Sequence, residues 1–284
     1  MSQEHRREKE KDGPLAAVIE KATRAEPKLN KAVVRAMRVL AEFDEDTPEW
    51  TVNALSRRLG IAKSSVSTVL ATLAEFDLVA RAEDGSGRYR LGLRCMEMGY
   101  LSSSRLQVRD LAFPLLERLL GETQQIVYLA IPYQREVLYV EAMYPPHRRI
   151  NFSSQGRRAP LYCTGIGKAI LAFLPVEDQR DYLSRAPFPR LTSNTLCRRE
   201  ELEREIEETH ARGYATDHEE REHGIRCVAS PVLSRFGQVV AAVSISGSSD
   251  EIDEDRIPQL AQIVHATAVD VGRKLQFAGH GGRP

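Results

Sequence analysis

The stretch spanning residues 50–91 constrains the fold most strongly, because it holds two short helical patterns followed by a hairpin. Three apolar residues at helical spacing mark the first helix: Val52, Leu55 and Leu59. Thr51 stands in the N-cap position of this helix, and Gly60 ends it. The second helix, entered at Ile61, carries an apolar stripe at i, i+3, i+4 and i+7 that consists of Val66, Val69, Leu70 and Leu73. Two amphipathic helices joined by a tight turn are typical of a helix-turn-helix.

The opposite face of the second helix is polar and is made of Lys63, Ser64, Ser65, Ser67, Thr68 and Thr72. Small hydroxyl groups and one lysine near the start of a helix suit a surface that enters a DNA groove and contacts phosphates and base edges. Two ordinary helices with a solvent-facing polar side would show the same spacing. The helical pattern alone therefore leaves both interpretations open.

A hairpin signal directly after the second helix favours the DNA-binding interpretation. Residues 78–81 form a short strand, 84–87 read Asp-Gly-Ser-Gly, and 88–91 alternate polar with apolar residues. This hairpin is predicted to be a wing, with Arg88 and Arg90 on its exposed face. The predicted DNA contacts are Arg57, Lys63, Ser64, Ser65, Ser67, Thr68 and Arg88.

The composition describes a two-domain protein without a membrane segment. The chain has 284 residues, of which 42% are hydrophobic and 28% are charged, with a mean hydropathy of -0.37. No apolar run approaches the roughly 20 residues that a membrane helix needs. The charged N-terminus lacks the apolar segment of a secretory signal. We therefore expect a cytoplasmic protein that makes no contact with membranes.

The formal net charge is zero, with 40 basic and 40 acidic side chains, whereas many nucleic-acid-binding proteins are visibly basic. Six basic residues nevertheless cluster around the predicted contact surface: Arg57, Arg58, Lys63, Arg81, Arg88 and Arg90. Acidic residues occupy the loop before it, at Glu42, Asp44, Glu45, Asp46 and Glu49. This distribution predicts moderate DNA affinity that depends on dimerisation.

The rest of the chain divides into segments that differ in composition and in the pattern of their apolar residues. Residues 1–27 are rich in charge and predict a mobile tail, and residues 28–92 hold the winged helix-turn-helix. Its first helix is predicted to use Val33, Val34, Met37, Leu40 and Ala41 as its core face. Residues 93–106 predict an apolar linker helix that either pairs with a second subunit or is a buried connector.

Residues 107–278 predict a second domain, and residues 279–284 a flexible tail. Two hairpin pairs are expected, at 126–131 with 136–143 and at 225–234 with 239–246. The helices are expected at 108–121, 167–173, 176–185, 199–212 and 257–277. Strands and helices mixed in this way indicate an α+β domain with a mostly antiparallel sheet.

Seven segments resemble the IclR family of bacterial transcription regulators. The N-terminal segments are Leu55–Val66, Leu70–Leu73 and Gly87–Arg94. The C-terminal segments are Pro160–Pro175, Gly213–Glu220, Gly224–Pro231 and Ala241–Gly247. The resemblance covers about residues 29–277 in the family's order. It implies a GAF-like effector-binding domain, a homodimer that can pair into a tetramer, and control of catabolic genes.

The glycines in Gly165-Ile-Gly167-Lys168 do not form a nucleotide-binding motif. A P-loop fails because residue 162 is Tyr and residue 169 is Ala, and a dinucleotide fingerprint fails because residue 170 is Ile. Thr164 is a predicted N-cap, and the glycines would let a ligand approach helix amides. The other interpretation is that they only permit tight packing.

Ser244 and Ser246 lie two residues apart on a predicted strand, so both side chains leave the same face. They form either a polar patch under a helix or part of a pocket. The family resemblance favours the pocket, with effector contacts at Gly165, Ile166, Asp217, Ile225, Cys227, Val239, Ser244 and Ser246. We expect a small organic acid or a hydroxylated aromatic effector, because helix amides favour a carboxylate and Asp217 favours a donor group.

The four cysteines, Cys95, Cys163, Cys197 and Cys227, show no regular spacing. They predict reduced thiols, with no disulfide framework, metal site or other cofactor. A small-molecule enzyme of GAF-like fold that uses Cys163 or Cys227 as a nucleophile is the alternative function. No histidine lies in a recognisable catalytic motif, so the sequence predicts no catalytic residues. The favoured prediction is a ligand-responsive regulator of a catabolic operon that binds near-palindromic double-stranded operator DNA as a dimer or tetramer.

Overall fold

The computed structural model describes residues 29–44, 46–103, 106–148 and 154–278. The chain divides into two compact units between Ser102 and Ser103. Both predicted tails, at 1–27 and 279–284, lie outside the described residues. The finer domain boundaries, at residues 28–92, 93–106 and 107–278, stay a prediction.

The N-terminal unit has the expected winged helix-turn-helix. Its elements are α1 (Lys31–Ala41), β1 (Trp50–Thr51), α2 (Val52–Leu59), α3 (Lys63–Glu75), β2 (Val79–Arg81), β3 (Arg88–Leu91) and α4 (Leu93–Ser103). Strand β3 pairs antiparallel with both β1 and β2, so the wing is a three-stranded sheet. Leu55, Val66 and Leu70 are fully buried between the helices. The predicted apolar stripes of α2 and α3 therefore form the core of this unit.

Local signals set the boundaries of α2. The Thr51 hydroxyl accepts a hydrogen bond from the Ala54 amide at 3.2 Å, which confirms the N-cap. Gly60 ends the helix in the left-handed conformation, at φ 65°. The next helix, α3, begins at Lys63 rather than Ile61, and its N-cap residue is Ala62. No side chain caps the amides of its first turn.

The predicted core face of α1 was wrong at two positions. Val33 is 58% exposed and Met37 is 39% exposed, whereas Val39 is fully buried with Ala36 and Leu40 packed nearby. The apolar residues of this helix are spread around more than one face, so spacing alone selected a stripe rotated away from the one that packs. Positions 36, 39 and 40 carry the contact with the other helices.

The C-terminal unit contains a six-stranded antiparallel sheet. Its elements are α5 (Gln107–Thr123), β4 (Ile126–Tyr133), β5 (Glu136–Met143), β6 (Arg158–Pro160), α6 (Gly165–Leu171), α7 (Val176–Leu183), α8 (Arg199–Arg212), β7 (Ala215–His218), β8 (Ile225–Leu233), β9 (Val239–Ser248) and α9 (Ile257–Ala278). The strand order is β6-β5-β4-β9-β8-β7. The α+β fold class and the antiparallel sheet are confirmed. The short edge strands β6 and β7 were not predicted.

The two faces of this sheet pack different helices. One face buries Val127, Leu129, Val243 and Ile245 against α5 and α9. The other face is lined by alanines at positions 130, 229 and 242 and packs against α6. Because alanine side chains are small, α6 lies close to the centre of the sheet. This close approach positions the cavity described next.

Candidate functional site

A cavity of about 170 Å³ lies between the start of α6 and the centre of the sheet. Strand register explains which side chains meet there. Asp217 lies opposite Cys227, which lies opposite Ser246, so one row crosses β7, β8 and β9. Two residues along β9, Ser244 lies opposite Tyr128 on β4. Residues that are distant in sequence therefore form one polar wall.

Seven of the eight predicted effector contacts line this cavity: Gly165, Ile166, Asp217, Ile225, Cys227, Ser244 and Ser246. Val239 does not, because it begins β9 opposite Leu233, five residues before Ser244. At about 3.3 Å per strand residue this separates the two positions by roughly 17 Å. Val239 instead packs against the apolar cluster around α6.

The cavity also contains residues that the sequence did not indicate. These are Tyr128, Tyr139, Ser154, Arg157, Thr164, Arg221 and Glu222. The two tyrosine rings lie 5.0 Å apart and form an aromatic side of the cavity. Burial raises the pKa of Tyr128 to about 12, so its phenol keeps its proton at neutral pH and can donate a hydrogen bond. The sequence around a β-strand residue such as Tyr128 does not indicate which strand will pair beside it.

The two glycines of α6 have different neighbours. A Cβ on Gly167 would lie 2.7 Å from the Leu161 carbonyl oxygen, so this glycine is required for packing. A Cβ on Gly165 would lie 3.2 Å from the Cys227 Cβ, which places this glycine against β8 at the cavity wall. Thr164 is the N-cap, because its hydroxyl accepts from the Gly167 amide at 3.0 Å. The motif therefore serves both packing, through Gly167, and the wall of the cavity, through Gly165.

A buried charge cluster lies beneath the cavity. Lys168 is only 1% exposed, and its Nζ lies 2.5 Å from Glu220 Oε1 and 3.3 Å from Glu205 Oε1. Burial alone would lower the pKa of Lys168, but the two carboxylates outweigh it and raise the pKa. The lysine is therefore charged, and the cluster fixes the segment that carries Asp217 and Glu220.

Asp217 is the acidic group in the cavity wall and is 3% exposed. Burial, reinforced by the negative charge of Glu220, raises the pKa of Asp217 to about 7. Its Oδ1 accepts from the Glu220 amide at 2.8 Å. Near neutral pH this carboxyl is therefore present in both protonated and ionised forms, so it can serve a ligand as donor or acceptor.

The thiols in this region are not activated. Burial raises the pKa of Cys163 to about 12 and also raises the pKa of Cys227. Both groups are therefore protonated at neutral pH, and a thiol is a poor nucleophile compared with a thiolate. Among the described residues no cluster of three or more His, Cys, Asp or Glu side chains is arranged to hold a metal ion.

The predicted DNA-contact residues all lie on the N-terminal unit, and most of them are exposed. Lys63, Ser64, Ser67 and Thr68 are exposed on α3, and Ser65 is half-buried. The Thr68 hydroxyl donates to the Ser64 carbonyl oxygen at 2.9 Å, so it presents a lone pair outward. Within the described part of the chain, the three serine hydroxyls make no hydrogen bond.

The basic residues of this surface differ in their partners. Arg88, on the wing, lies 3.5 Å from Glu49, and Arg58 lies 3.1 Å from Glu42. Arg57 and Lys63 are exposed and form no ion pair with any described residue. Acidic residues of the preceding loop thus neutralise part of the basic charge near the helix-turn-helix. No helix in the described ranges is long and apolar enough to cross a membrane.

The pKa of Asp217 predicts a pH-dependent effect of Asp217→Asn on stability. The folded-state pKa of about 7 lies above the ordinary value of 3.8, so the folded chain disfavours ionised Asp217. This penalty is full above pH 7 and disappears as the pH falls towards 4. Asn keeps the acceptor oxygen, so the Asp217→Asn variant should be more stable than the wild type at pH 8. The gain in the free energy of unfolding is at most about 4 kcal/mol, because one pKa unit corresponds to 1.36 kcal/mol.

Urea unfolding of both proteins at pH 5, 7 and 8.5 measures this difference. Asp250→Asn, at an exposed turn, is the control and should show no such trend. A difference between wild type and Asp217→Asn that does not change with pH would contradict the assignment.

Two family models match the chain in order. Residues 100–273 match "Bacterial transcriptional regulator IclR C-terminal" and residues 32–83 match "IclR helix-turn-helix domain". A relative, the HTH-type transcriptional regulator KipR of Bacillus subtilis, is 32% identical over 248 residues, which cover 87% of this chain and 98% of KipR.

Solved structures agree in fold. IclR of Thermotoga maritima has a TM-score of 0.72 and 30% identity, and the match covers 86% of this chain and 98% of that one. An IclR homologue of Microbacterium hydrocarbonoxydans, solved in complex with 4-hydroxybenzoate, has a TM-score of 0.76 and 26% identity, covering 86% and 99%. The relatives are regulators rather than enzymes. From its sequence, its fold and these matches, the chain belongs to the IclR family of bacterial transcription regulators.

Proposed function

We propose that this regulator controls a catabolic operon, binds a near-palindromic operator as a dimer or tetramer, and responds to a small organic acid or hydroxylated aromatic effector. The observation that carries this proposal is the cavity against α6, which combines aromatic, acidic and basic side chains. The family membership supplies the DNA-binding role.

The cavity volume and lining favour a single-ring acid. A cavity of about 170 Å³ is close to the roughly 150 Å³ apolar cavity that holds benzene. Arg221 and Arg157 offer cationic groups for a carboxylate, while Asp217 and the Tyr128 hydroxyl offer partners for a hydroxyl. 4-Hydroxybenzoate, the ligand in the complex of the related Microbacterium protein, carries one carboxylate and one hydroxyl. An aromatic ring between the two ends would contact Ile166 and Ile225.

The exposed face of α3 supports major-groove binding. The amides of its first turn lack a side-chain cap, and such amides bind phosphates. Because the Thr68 hydroxyl donates to its own helix, its free lone pair favours a base amino group, as on adenine or cytosine. Arg88 on the wing would contact the backbone or the minor groove, and Arg57 and Lys63 the phosphates.

The linker helix α4 supports dimerisation. Its large apolar side chains are exposed: Leu93 at 72%, Met96 at 75%, Met98 at 54%, Tyr100 at 68% and Leu101 at 61%. Leu93, Met96, Tyr100 and Leu101 lie at i, i+3, i+7 and i+8, so they share one face. A second copy of the chain is the occupant we assign to this face, since two half-sites require two linked DNA-binding units.

The DNA-binding surface predicts the effect of an Arg57→Ala, Lys63→Ala, Arg88→Ala triple variant. If these side chains contact phosphates, the slope of log affinity against log salt should fall by about one unit per contact. The loss should be similar for all DNA sequences, because phosphate contacts do not read bases. Fluorescence anisotropy with DNA that the wild type retains from its own genome measures both.

The control is Arg180→Ala, Arg204→Ala, Arg235→Ala, which makes the same charge change on exposed residues of the C-terminal unit. An unchanged affinity and salt slope in the first triple variant would exclude this surface.

The linker proposal predicts that Met96→Glu with Leu101→Glu yields monomers. Charged residues facing each other in the pairing of two α4 helices would repel, and operator affinity should fall by roughly a hundredfold as avidity is lost. Effector binding should remain. Light scattering and operator titration measure these properties, with exposed Ser102→Glu as the control. Dimers that persist in the double variant would place the subunit contact elsewhere.

The cavity predicts a specific order among three matched probes. 4-Hydroxybenzoate should bind more tightly than benzoate, which lacks the hydroxyl, and than phenol, which lacks the carboxylate. Each missing end group should cost roughly three- to thirtyfold. Asp217→Asn and Ser246→Ala should reduce the effect of the hydroxyl. Calorimetry on the full chain measures this order, and equal binding of the three probes, or no binding by any of them, would reject the proposed effector class.

A further inference from the structure

A second, larger cavity of about 550 Å³ lies on the C-terminal unit, away from the cavity against α6. It opens between the end of α8, the end of β8 and the middle of α9. Its lining comprises Phe173, His210, Ala211, Arg212, Gly213, Pro231, Leu233, Ser234, His265, Val269, Gly272, Arg273 and Gln276. No residue is shared with the first cavity. We call this second cavity the α8–α9 groove.

The charges of the α8–α9 groove have one sign. Its lining contains two arginines and two histidines and no carboxylate. The cavity against α6, in contrast, has Asp217 and Glu222 beside Arg157 and Arg221. A cavity lined by basic groups alone favours an anion. The two cavities therefore differ in the charge that they present to a ligand.

A buried serine orients one of these histidines. Ser230 is fully buried, and its hydroxyl donates to the Gly213 carbonyl oxygen at 2.8 Å. That hydroxyl oxygen lies 2.9 Å from His265 Nδ1, so the ring donates its Nδ1 proton to the serine. His265 Nε2 makes no hydrogen bond within the described residues. With Nδ1 engaged by the serine, Nε2 is the ring nitrogen left to contact a ligand.

The two arginines are held to different degrees. Arg212 donates to the Tyr214 carbonyl oxygen at 2.6 Å and to Glu205 at 2.9 Å, so its position is fixed. Arg273 is 68% exposed and lies 3.5 Å from Asp270, a weak exposed pair. Arg273 can therefore turn towards a ligand at little cost, since its only ion pair with a described residue is solvent-screened.

The floor of the groove is apolar. Pro231 and Leu233 belong to β8, and Val269 to α9. Gly272 lets the helix approach the strand, because a Cβ there would lie 2.7 Å from the Leu233 carbonyl oxygen. The Phe173 and His210 rings stack at 4.6 Å and extend this surface as a flat wall. The groove therefore has apolar surface from β8 and α9 beside this aromatic pair.

We propose that the α8–α9 groove is a second ligand site, which binds an amphiphilic organic anion with one carboxylate or sulfonate on a flat apolar body. Arg273 pairs with the anionic group, and the apolar body lies on Pro231, Leu233 and Val269. The volume falls within the 300–1,000 Å³ typical of small-molecule pockets. This site is independent of the effector cavity and of the function proposed for it.

The probe for this site is 8-anilinonaphthalene-1-sulfonate, a flat anion whose fluorescence rises in apolar surroundings. The full chain should bind it saturably. Arg273→Glu should weaken binding by roughly fivefold or more, because a favourable charge becomes a repulsive one. Lys274→Glu, at the next and exposed residue, makes the same charge change outside the groove and should alter binding by less than about twofold.

Two further controls locate the probe. Arg221→Glu alters the cavity against α6 and should leave probe binding unchanged. Met96→Glu with Leu101→Glu places two charges among the exposed apolar residues of α4 and should also leave this saturable component unchanged. Histidine ring signals in NMR give a direct readout, because among the histidines that the structure describes only His210 and His265 line the groove. These two should shift together on probe addition, with His265→Gln assigning one signal.

Several outcomes would overturn the proposal. One is the absence of saturable probe binding, and another is an equal loss of probe affinity in Arg273→Glu and Lys274→Glu. A loss of probe affinity confined to the Arg221→Glu or α4 variants would also overturn it, as would His210 and His265 signals that do not shift. Selective loss in Arg273→Glu with paired histidine shifts would support it.

Discussion

The close approach of α6 to the antiparallel sheet is the constraint on which the C-terminal unit depends. A Cβ on Gly165 would lie 3.2 Å from the Cys227 Cβ on β8, and the alanines at positions 130, 229 and 242 keep that face of the sheet shallow. The same approach buries Lys168 entirely, which is tolerated only because Glu220 and Glu205 surround its ammonium group. Removing one partner of such a buried pair typically costs about 3–5 kcal/mol. The packing of α6, the compensation of the Lys168 charge and the shape of the cavity therefore all depend on this one approach.

Charge distribution explains how a chain of zero net charge can carry a DNA-binding surface. Glu42 and Glu49 pair with Arg58 and Arg88, so part of the local basic charge is neutralised within the unit. Such exposed pairs contribute little to stability, about 0–1 kcal/mol each. Their larger effect is on association, because a phosphate must compete with a carboxylate already in place. In the dimer proposed above, avidity would compensate for the modest affinity of each unit.

The sequence was most informative where a local pattern determines the structure. Thr51 and Gly60 predicted the ends of α2 because capping needs only neighbouring residues. The long strands and the α8 helix followed from periodicity. The short strands β6 and β7 did not, since three or four residues form a strand only when a neighbouring strand is present.

The site was predictable in part for the same reason. The same-face relation of Ser244 and Ser246 follows from strand geometry alone. Tyr128 lies beside them only because of the register between β4 and β9, and a loop brings Arg221 to the same cavity. Neither placement can be predicted from the sequence around the residue. Val239 was placed in the pocket by resemblance, although its distance along β9 puts it elsewhere. The core face of α1 failed at Val33 and Met37 because its apolar residues fit two stripes.

The pairing of β4 with β9 has a consequence for biosynthesis. These strands lie near opposite ends of the C-terminal unit in sequence, yet they are neighbours at the centre of the sheet. A ribosome releases the whole helix-turn-helix before it has made the strand that supplies Ser244 and Ser246, and domains generally fold as units during synthesis. The nascent regulator thus acquires its helix-turn-helix first and the cavity against α6 last. Until β9 leaves the exit tunnel, the sheet lacks its central partner and the emerging chain has no complete wall for this cavity.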